Sequence, residues 1–264
     1  MSYADDNHTG NHATALASAA NSLSKVINHE IPVFVVMPLN ASSLKVRNAA
    51  ALGARVIRSG NSWREREAAV ESLIAAYGLT LVSSSDDNNI ILGQGTVGIE
   101  IMQQVEASFG AKLDCVVLPC GGGGLLSGVG VALSSEPIKV FGAEPQDGAD
   151  DGFRALVSGE RIERVTSGTI ADGLRCPIGK SAWQIIKQPT YVDGIFTVSD
   201  ADICSTMQLV DETMAMVIEP SAAVPLAVVL FNKDFRRYAA RQNRRLHVGV
   251  VFSGGNFLKT TAIG

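Results

Sequence analysis

Four consecutive glycines, Gly121, Gly122, Gly123 and Gly124, follow the apolar run Cys115-Val116-Val117-Leu118-Pro119-Cys120 and precede Leu125-Leu126-Ser127-Gly128. Such a stretch reads as a buried strand, a turn without side chains, and the first turn of an apolar helix. With no side chains in the way, successive backbone N–H groups can close around one compact anion. The helix adds unpaired N–H donors and the positive end of its dipole at the same spot. The stretch therefore predicts a phosphate cup and a phosphorylated ligand or cofactor. The competing reading is a flexible turn, which rarely needs so many glycines.

Two other phosphate motifs fit less well. A P-loop requires Gly-Lys-Ser/Thr, and here Gly124 is followed by Leu125-Leu126, so nucleotide triphosphate chemistry is not indicated. A dinucleotide site is the closer rival, which would make the chain an oxidoreductase. Lys139-Val140-Phe141-Gly142-Ala143-Glu144 reads as the next strand and ends in an acid where a ribose-binding carboxylate could sit. The Gly-x-Gly-x-x-Gly register fails, however, because Leu126 or Ser127 stands at the third glycine position.

The chain has 264 residues, 46% of them hydrophobic, enough for a sizeable core in one large domain or two lobes. A net charge of −4 gives no general attraction to nucleic acid or anionic membranes. Arg236, Arg237, Arg241, Arg244 and Arg245 are expected to form a solvated helix face. Cys115, Cys120, Cys176 and Cys204 show no Cys-x-x-Cys pair, which suits reduced thiols in a cytosolic or organellar protein, with a cytoplasmic location expected. The polar, acidic start is neither a secretory signal nor a transit peptide, and apolar stretches such as residues 224–231 are too short to span a bilayer.

Strand-like and helix-like segments alternate along the chain. Pro32-Val33-Phe34-Val35-Val36-Met37-Pro38 reads as a buried strand, residues 44–52 as a helix closed by Gly53, and Arg55-Val56-Ile57 as the next strand. Residues 63–76 read as an amphipathic helix stopped at Gly78, followed by a strand at 79–82. This repetition predicts an α/β fold with parallel sheets covered on both faces. The polar interval Ser83-Ser84-Ser85-Asp86-Asp87-Asn88-Asn89 is taken as the crossing between a small domain, 1–84, and a large domain, 85–264. A helix is expected over 93–106, and Ser199 is expected to cap a helix over 203–217. A late strand, 246–252, empties into Ser253-Gly254-Gly255-Asn256, a second glycine turn that could face the same ligand. At the other end, His8-Thr9-Gly10-Asn11-His12 precedes an alanine-rich helix over 13–23. Thr9 can cap that helix, and its N–H groups could hold a carboxylate. His12 fits that role or simple structural duty equally well. His8 and His12 lack the intervening Glu of a zinc motif.

Taken together, Thr9-Gly10-Asn11-His12, the tetraglycine run and Ser253-Gly254-Gly255-Asn256 resemble the fold-type II pyridoxal-phosphate enzymes, within them the serine racemase and threonine/serine dehydratase group. Gly93-Gln94-Gly95-Thr96, Ala143-Glu144-Pro145, Ile170-Ala171-Asp172-Gly173 and Ile218-Glu219-Pro220-Ser221-Ala222 support the resemblance in the family's order over nearly the whole chain. The resemblance implies a two-lobed, tryptophan-synthase-β-like fold, with dimers common among members. It assigns the cofactor phosphate to Gly121, Gly122, Gly123 and Gly124, the 3-hydroxyl to Asn11 and the ring nitrogen to Ser253. Thr9, Gly10, Asn11 and His12 would meet the carboxylate of an amino-acid substrate, with Thr9 standing where serine racemases have a proton-moving serine. Glu144, Asp150 and the carbonyl of Gly148 match the family's divalent-cation site, suited to Mg2+ or Ca2+. A solvated acidic loop over 147–151 is the alternative reading for those residues.

The resemblance also implies a Schiff-base lysine well before the Gly-Asn-His turn. Only eight residues precede Thr9 and none is lysine; Lys25 and Lys45 lack the family context. The small domain is therefore expected to be incomplete at its N-terminus, and the chain to be an inactive member of a racemase/ammonia-lyase family. The alternative is a non-catalytic remnant that binds the cofactor or a partner. No regulatory module is expected after Asn256.

Overall fold

A computed structural model describes residues 2–5, 10–166 and 168–255; Thr9 and Asn256 lie outside them. Contacts divide the chain into two units, residues 1–84 and 85–264.

The first unit runs β1 (Ser2–Asp5), α1 (Asn11–Ile27), β2 (Val33–Pro38), α2 (Ser43–Ala51), β3 (Arg55–Ser59), α3 (Trp63–Tyr77) and β4 (Thr80–Ser83). All pairings are parallel, in the order β3-β2-β1-β4. Alternation along β2 separates two cores. Val33, Val35 and Met37 pack with Ala13 and Ala17 of α1 and Ala49 of α2, while Phe34 and Val36 pack with Val70 of α3 and Leu79. A capping box between Ser62 and Glu65 starts α3, and Gly78 in the left-handed conformation ends it.

One element was not legible locally. Ser2–Asp5, part of the polar start to which the sequence reading assigns no element, is an inner strand of this sheet. Its pairing with both β2 and β4 supplies hydrogen bonds that the segment's own composition does not predict.

The second unit holds α4 (Asn88–Gln94), α5 (Thr96–Phe109), β5 (Cys115–Pro119), α6 (Gly124–Ala132), β6 (Lys139–Pro145), α7 (Asp151–Ser158), α8 (Lys180–Ile186), β7 (Gly194–Val198), α9 (Asp200–Met214), α10 (Pro220–Phe231), α11 (Lys233–Ala240) and β8 (Val248–Val250). Its sheet is parallel throughout, in the order β7-β6-β5-β8. The fully buried β5 feeds both faces. Val116 and Leu118 join a core with α6 and α8, and Cys115 and Val117 join one with α9 and α10. Parallel sheets covered on both faces are the α/β architecture the alternation implied.

Local details depart from expectation in three places. The helix expected over 93–106 is two helices, α4 capped by the Asp87 carboxylate and α5 beginning after Gly95. The arginine cluster is not one helix face, because α11 ends at Ala240 and Arg244 instead pairs with Asp114 beside β5. That pairing holds the Asp114 carboxyl below its usual range. The N-cap of α1 is Gly10, at φ 64°, rather than Thr9. Among the described residues, no helix is long and apolar enough to cross a membrane.

Candidate functional site: a buried, uncapped helix start

Four helix starts among the described residues are closed by the side chain of their own N-cap. Ser62, Asp87, Ser199 and Asn232 accept N–H bonds at the starts of α3, α4, α9 and α11. The start of α6, like those of α1, α2, α5, α7, α8 and α10, has no such cap. Its N-cap, Gly123, lies at φ 85°, and no side chain caps it. Residues 121–124 are all buried. A buried helix start without a partner leaves N–H donors and the positive dipole end for a ligand.

The glycines are required by protein packing as well as by the turn. A Cβ on Gly122 would lie 2.1 Å from Ser85 Oγ, and one on Gly124 would lie 2.9 Å from the Ser85 carbonyl oxygen. A Cβ on Gly121 would meet the Leu174 backbone at 3.1 Å, and one on Gly123 would meet Ile186 Cδ1 at 2.8 Å. Neighbouring chain presses against the turn at each position. Ser85, Gly179 and the start of α8 belong to this surround and were missed from sequence, because no local pattern brings residue 85 to residue 122. Cys176 is also there. Burial, then the Asp151 carboxylate, push its thiol up to about 12 against the opposing effect of the Gly122 N–H. Burial raises the Cys120 thiol well above its ordinary value too. Neither is a thiolate nucleophile near neutral pH.

The parallel register Val117↔Val250 carries β5 and β8 to the same edge of the sheet. The turn at Ser253 therefore opens beside the glycine turn, at the carboxyl end where ligands of open α/β sheets bind. Ser253 is exposed, and the next residue is tied down by the Glu219 N–H on the Gly254 carbonyl at 3.0 Å.

In the first unit, α1 also starts without a side-chain cap, on a left-handed glycine. The Lys45 stem occupies the space a Cβ on Gly10 would need, 2.7 Å from Lys45 Cβ. His12 Nε2 lies 3.1 Å from the Val82 carbonyl, tying the first turn of α1 to β4. Asn11 is half-buried and already has a bonding partner.

Glu144 is fully buried at the end of β6. Its oxygens accept the N–H groups of Gly152 at 3.0 Å and Phe153 at 2.9 Å, at the start of α7. Burial, then the neighbouring Asp151 carboxylate, push Glu144 up to about 8. Burial likewise raises Asp151 to about 6, while the Ile178 N–H on Asp151 Oδ2 opposes it. Glu144 thus faces inward, which removes it as a ribose-binding acid and with it the dinucleotide reading. Asp150 pairs with Arg154 at 2.9 Å, and the Gly148 carbonyl accepts the Thr166 N–H at 2.9 Å. Among the described residues, no cluster of three or more His, Cys, Asp or Glu side chains is assembled for a metal.

Comparison with known proteins identifies the family. The family model described as pyridoxal-phosphate dependent enzyme matches residues 7–254. The chain is 40% identical over 253 residues to a serine racemase of Dictyostelium discoideum, covering 94% of this chain and 72% of that protein. It is 36% identical over 251 residues to an L-threo-3-hydroxyaspartate ammonia-lyase of Saccharomyces cerevisiae, covering 94% and 70%. The solved structure of maize serine racemase aligns with a TM-score of 0.86 at 32% identity, over 98% of this chain and 74% of that one.

Proposed function

The chain belongs to the pyridoxal-phosphate dependent enzyme family, among the serine racemases and hydroxy-amino-acid ammonia-lyases, and from that premise we propose a division of labour among its residues. The backbone N–H groups at Gly121, Gly122, Gly123 and Gly124 hold the phosphate of pyridoxal 5'-phosphate. One observation carries this assignment: the start of α6 is buried, left-handed at Gly123 and without a side-chain cap. When bound, the cofactor supplies an electron sink for the bond being broken at the α-carbon of an amino acid.

The chain's own residues then bind and orient. Ser253 offers the ring nitrogen a neutral hydroxyl rather than a carboxylate, which leaves that nitrogen largely unprotonated and suits racemisation and β-elimination. Asn11 hydrogen-bonds the 3-hydroxyl. Gly10, Asn11 and His12, at the uncapped start of α1, receive the carboxylate of a small hydroxy amino acid such as serine, threonine or hydroxyaspartate. Thr9 carries the hydroxyl that would hold or move a proton on one face of the substrate carbon.

Titrating the chain with pyridoxal 5'-phosphate while recording absorbance tests the phosphate assignment. Saturable binding is the expected result, and absence of binding would end the assignment.

A divalent cation, Mg2+ or Ca2+, is the second part of the proposal, held by Glu144, Asp150 and the Gly148 carbonyl. The three are hard oxygen donors, and no cationic side chain touches buried Glu144 among the described residues. Each is already engaged inside the protein, so binding must rearrange those bonds. Saturating Mg2+ or Ca2+ is expected to raise the melting temperature by roughly 5 °C, as for a ligand at about a hundredfold its Kd. A thermal melt unchanged by either ion would remove the metal from the reading.

A further inference from the structure

On the premise that the glycine turn holds a phosphate, we infer that Asp86 is a positioning residue for that cup, fastening Ser85 across the glycines to the start of α8. Asp86 Oδ2 accepts the N–H of Lys180 at 2.8 Å, and Oδ1 accepts those of Ser181 at 2.7 Å and Ala182 at 3.4 Å. One carboxylate therefore takes three donors that α8 cannot satisfy internally. The approach is possible only because residue 179 is glycine: a Cβ there would lie 2.4 Å from Asp86 Cγ.

The same segment reaches the cup directly. The Gly179 N–H donates to the Gly122 carbonyl at 3.0 Å, and Ala182 and Ile186 of α8 lie against Gly123. On the other side, Ser85 is the residue against which Gly122 and Gly124 pack. Three segments distant in sequence thus close a ring, 85–86 to 179–182 to 122–124 and back to 85. The donors at the start of α6 are held by this ring rather than by a cap of their own. An anion site built from backbone N–H groups depends on their being fixed in advance, since any freedom must be lost when the anion binds.

Next to it, Asp87 provides the internal comparison. Its carboxylate caps a different helix, α4, through the N–H groups of Asn89 at 2.8 Å and Ile90 at 3.3 Å. Asp86→Ala and Asp87→Ala each remove one helix cap, but only the first opens the ring.

The test is equilibrium binding of the full chain to pyridoxal 5'-phosphate and, separately, to pyridoxal, which lacks the phosphate. Asp86→Ala is expected to weaken pyridoxal 5'-phosphate about tenfold, the scale of one lost charge-assisted bond, while changing pyridoxal affinity by less than about twofold. Gly179→Ala, which displaces the carboxylate, should have the same selective effect. Asp86→Asn should recover much of the affinity, because its Oδ1 still accepts from Ser181. Asp87→Ala should lower the melting temperature and leave both affinities unchanged. Wild-type affinity in Asp86→Ala, an equal loss for both ligands, or an equal loss in Asp87→Ala would each overturn the inference. A wild-type chain that binds pyridoxal 5'-phosphate no better than pyridoxal would instead overturn the phosphate cup itself, and the positioning role with it.

Discussion

Gly123→Ala is expected to weaken pyridoxal 5'-phosphate binding roughly a hundredfold, with secondary structure by circular dichroism retained. Gly123 sits at φ 85°, where an alanine costs about 1–2 kcal/mol. The added methyl group would also lie 2.8 Å from Ile186 Cδ1 and 3.1 Å from Ala182 Cβ. Both strains are relieved by rotating the peptide toward the right-handed region, and that rotation swings the N–H donors away from a common centre. Charge-assisted bonds of about 1.5–3 kcal/mol are then lost in the bound state while the free protein recovers part of its strain. Fluorescence titration of wild-type and variant protein checks the figure. Affinity within about threefold of wild type would mean that the start of α6 is not where the phosphate sits.

The largest effect on stability is expected at Gly128, in the middle of α6. A Cβ there would fall 2.1 Å from the Ile91 carbonyl oxygen and 2.7 Å from the Gly95 amide nitrogen. Both are backbone atoms, so no side chain can turn aside to make room. Helix α6 would have to move away from α4 and from the junction with α5, opening the core that holds Leu126 and Val129. Overpacking of this kind typically costs about 1–3 kcal/mol, and the upper end applies when backbone meets backbone. Gly128→Ala should therefore lower the melting temperature by roughly 10 °C. Gly93→Ala, in α4, is the matched control. Nothing lies within 4 Å of its Cβ, so the change should be neutral or stabilising by a few tenths of a kcal/mol. Equal melting temperatures for the two variants would show that α6 does not pack against α4 as described.

Much of the architecture could be read from the chain itself, because its signals are local. The β-branched run from Val33 is bounded by prolines, Ser62 and Ser199 announce their helices, and Gly53 and Gly78 stop theirs. Each signal acts within a few residues, through a dihedral angle, a cap or a side-chain period. The glycine turn, its strand and its helix were legible for the same reason, as was the second turn at Ser253. The turn at Thr9, Gly10, Asn11 and His12 was legible as a helix start open to a carboxylate, its roles toward the cofactor came only by resemblance, and the structure describes the last three residues.

Other features required the folded chain. Ser2–Asp5 is too polar to declare itself a strand, and only β2 and β4 on either side make it one. Glu144 reads from sequence as an acid at a strand end open to a ribose or a cation, yet the start of α7 folds over it and supplies its hydrogen bonds. The Asp86 clamp joins positions far apart in sequence, and nothing near residue 86 points to residue 180. Sequence alone determined the alternation of strands and helices over most of the chain and the backbone freedom at residues 121–124, since these depend on torsional preference and side-chain period. Tertiary packing decided which donors stay unpaired and which carboxylates are buried, since both depend on where distant segments exclude water.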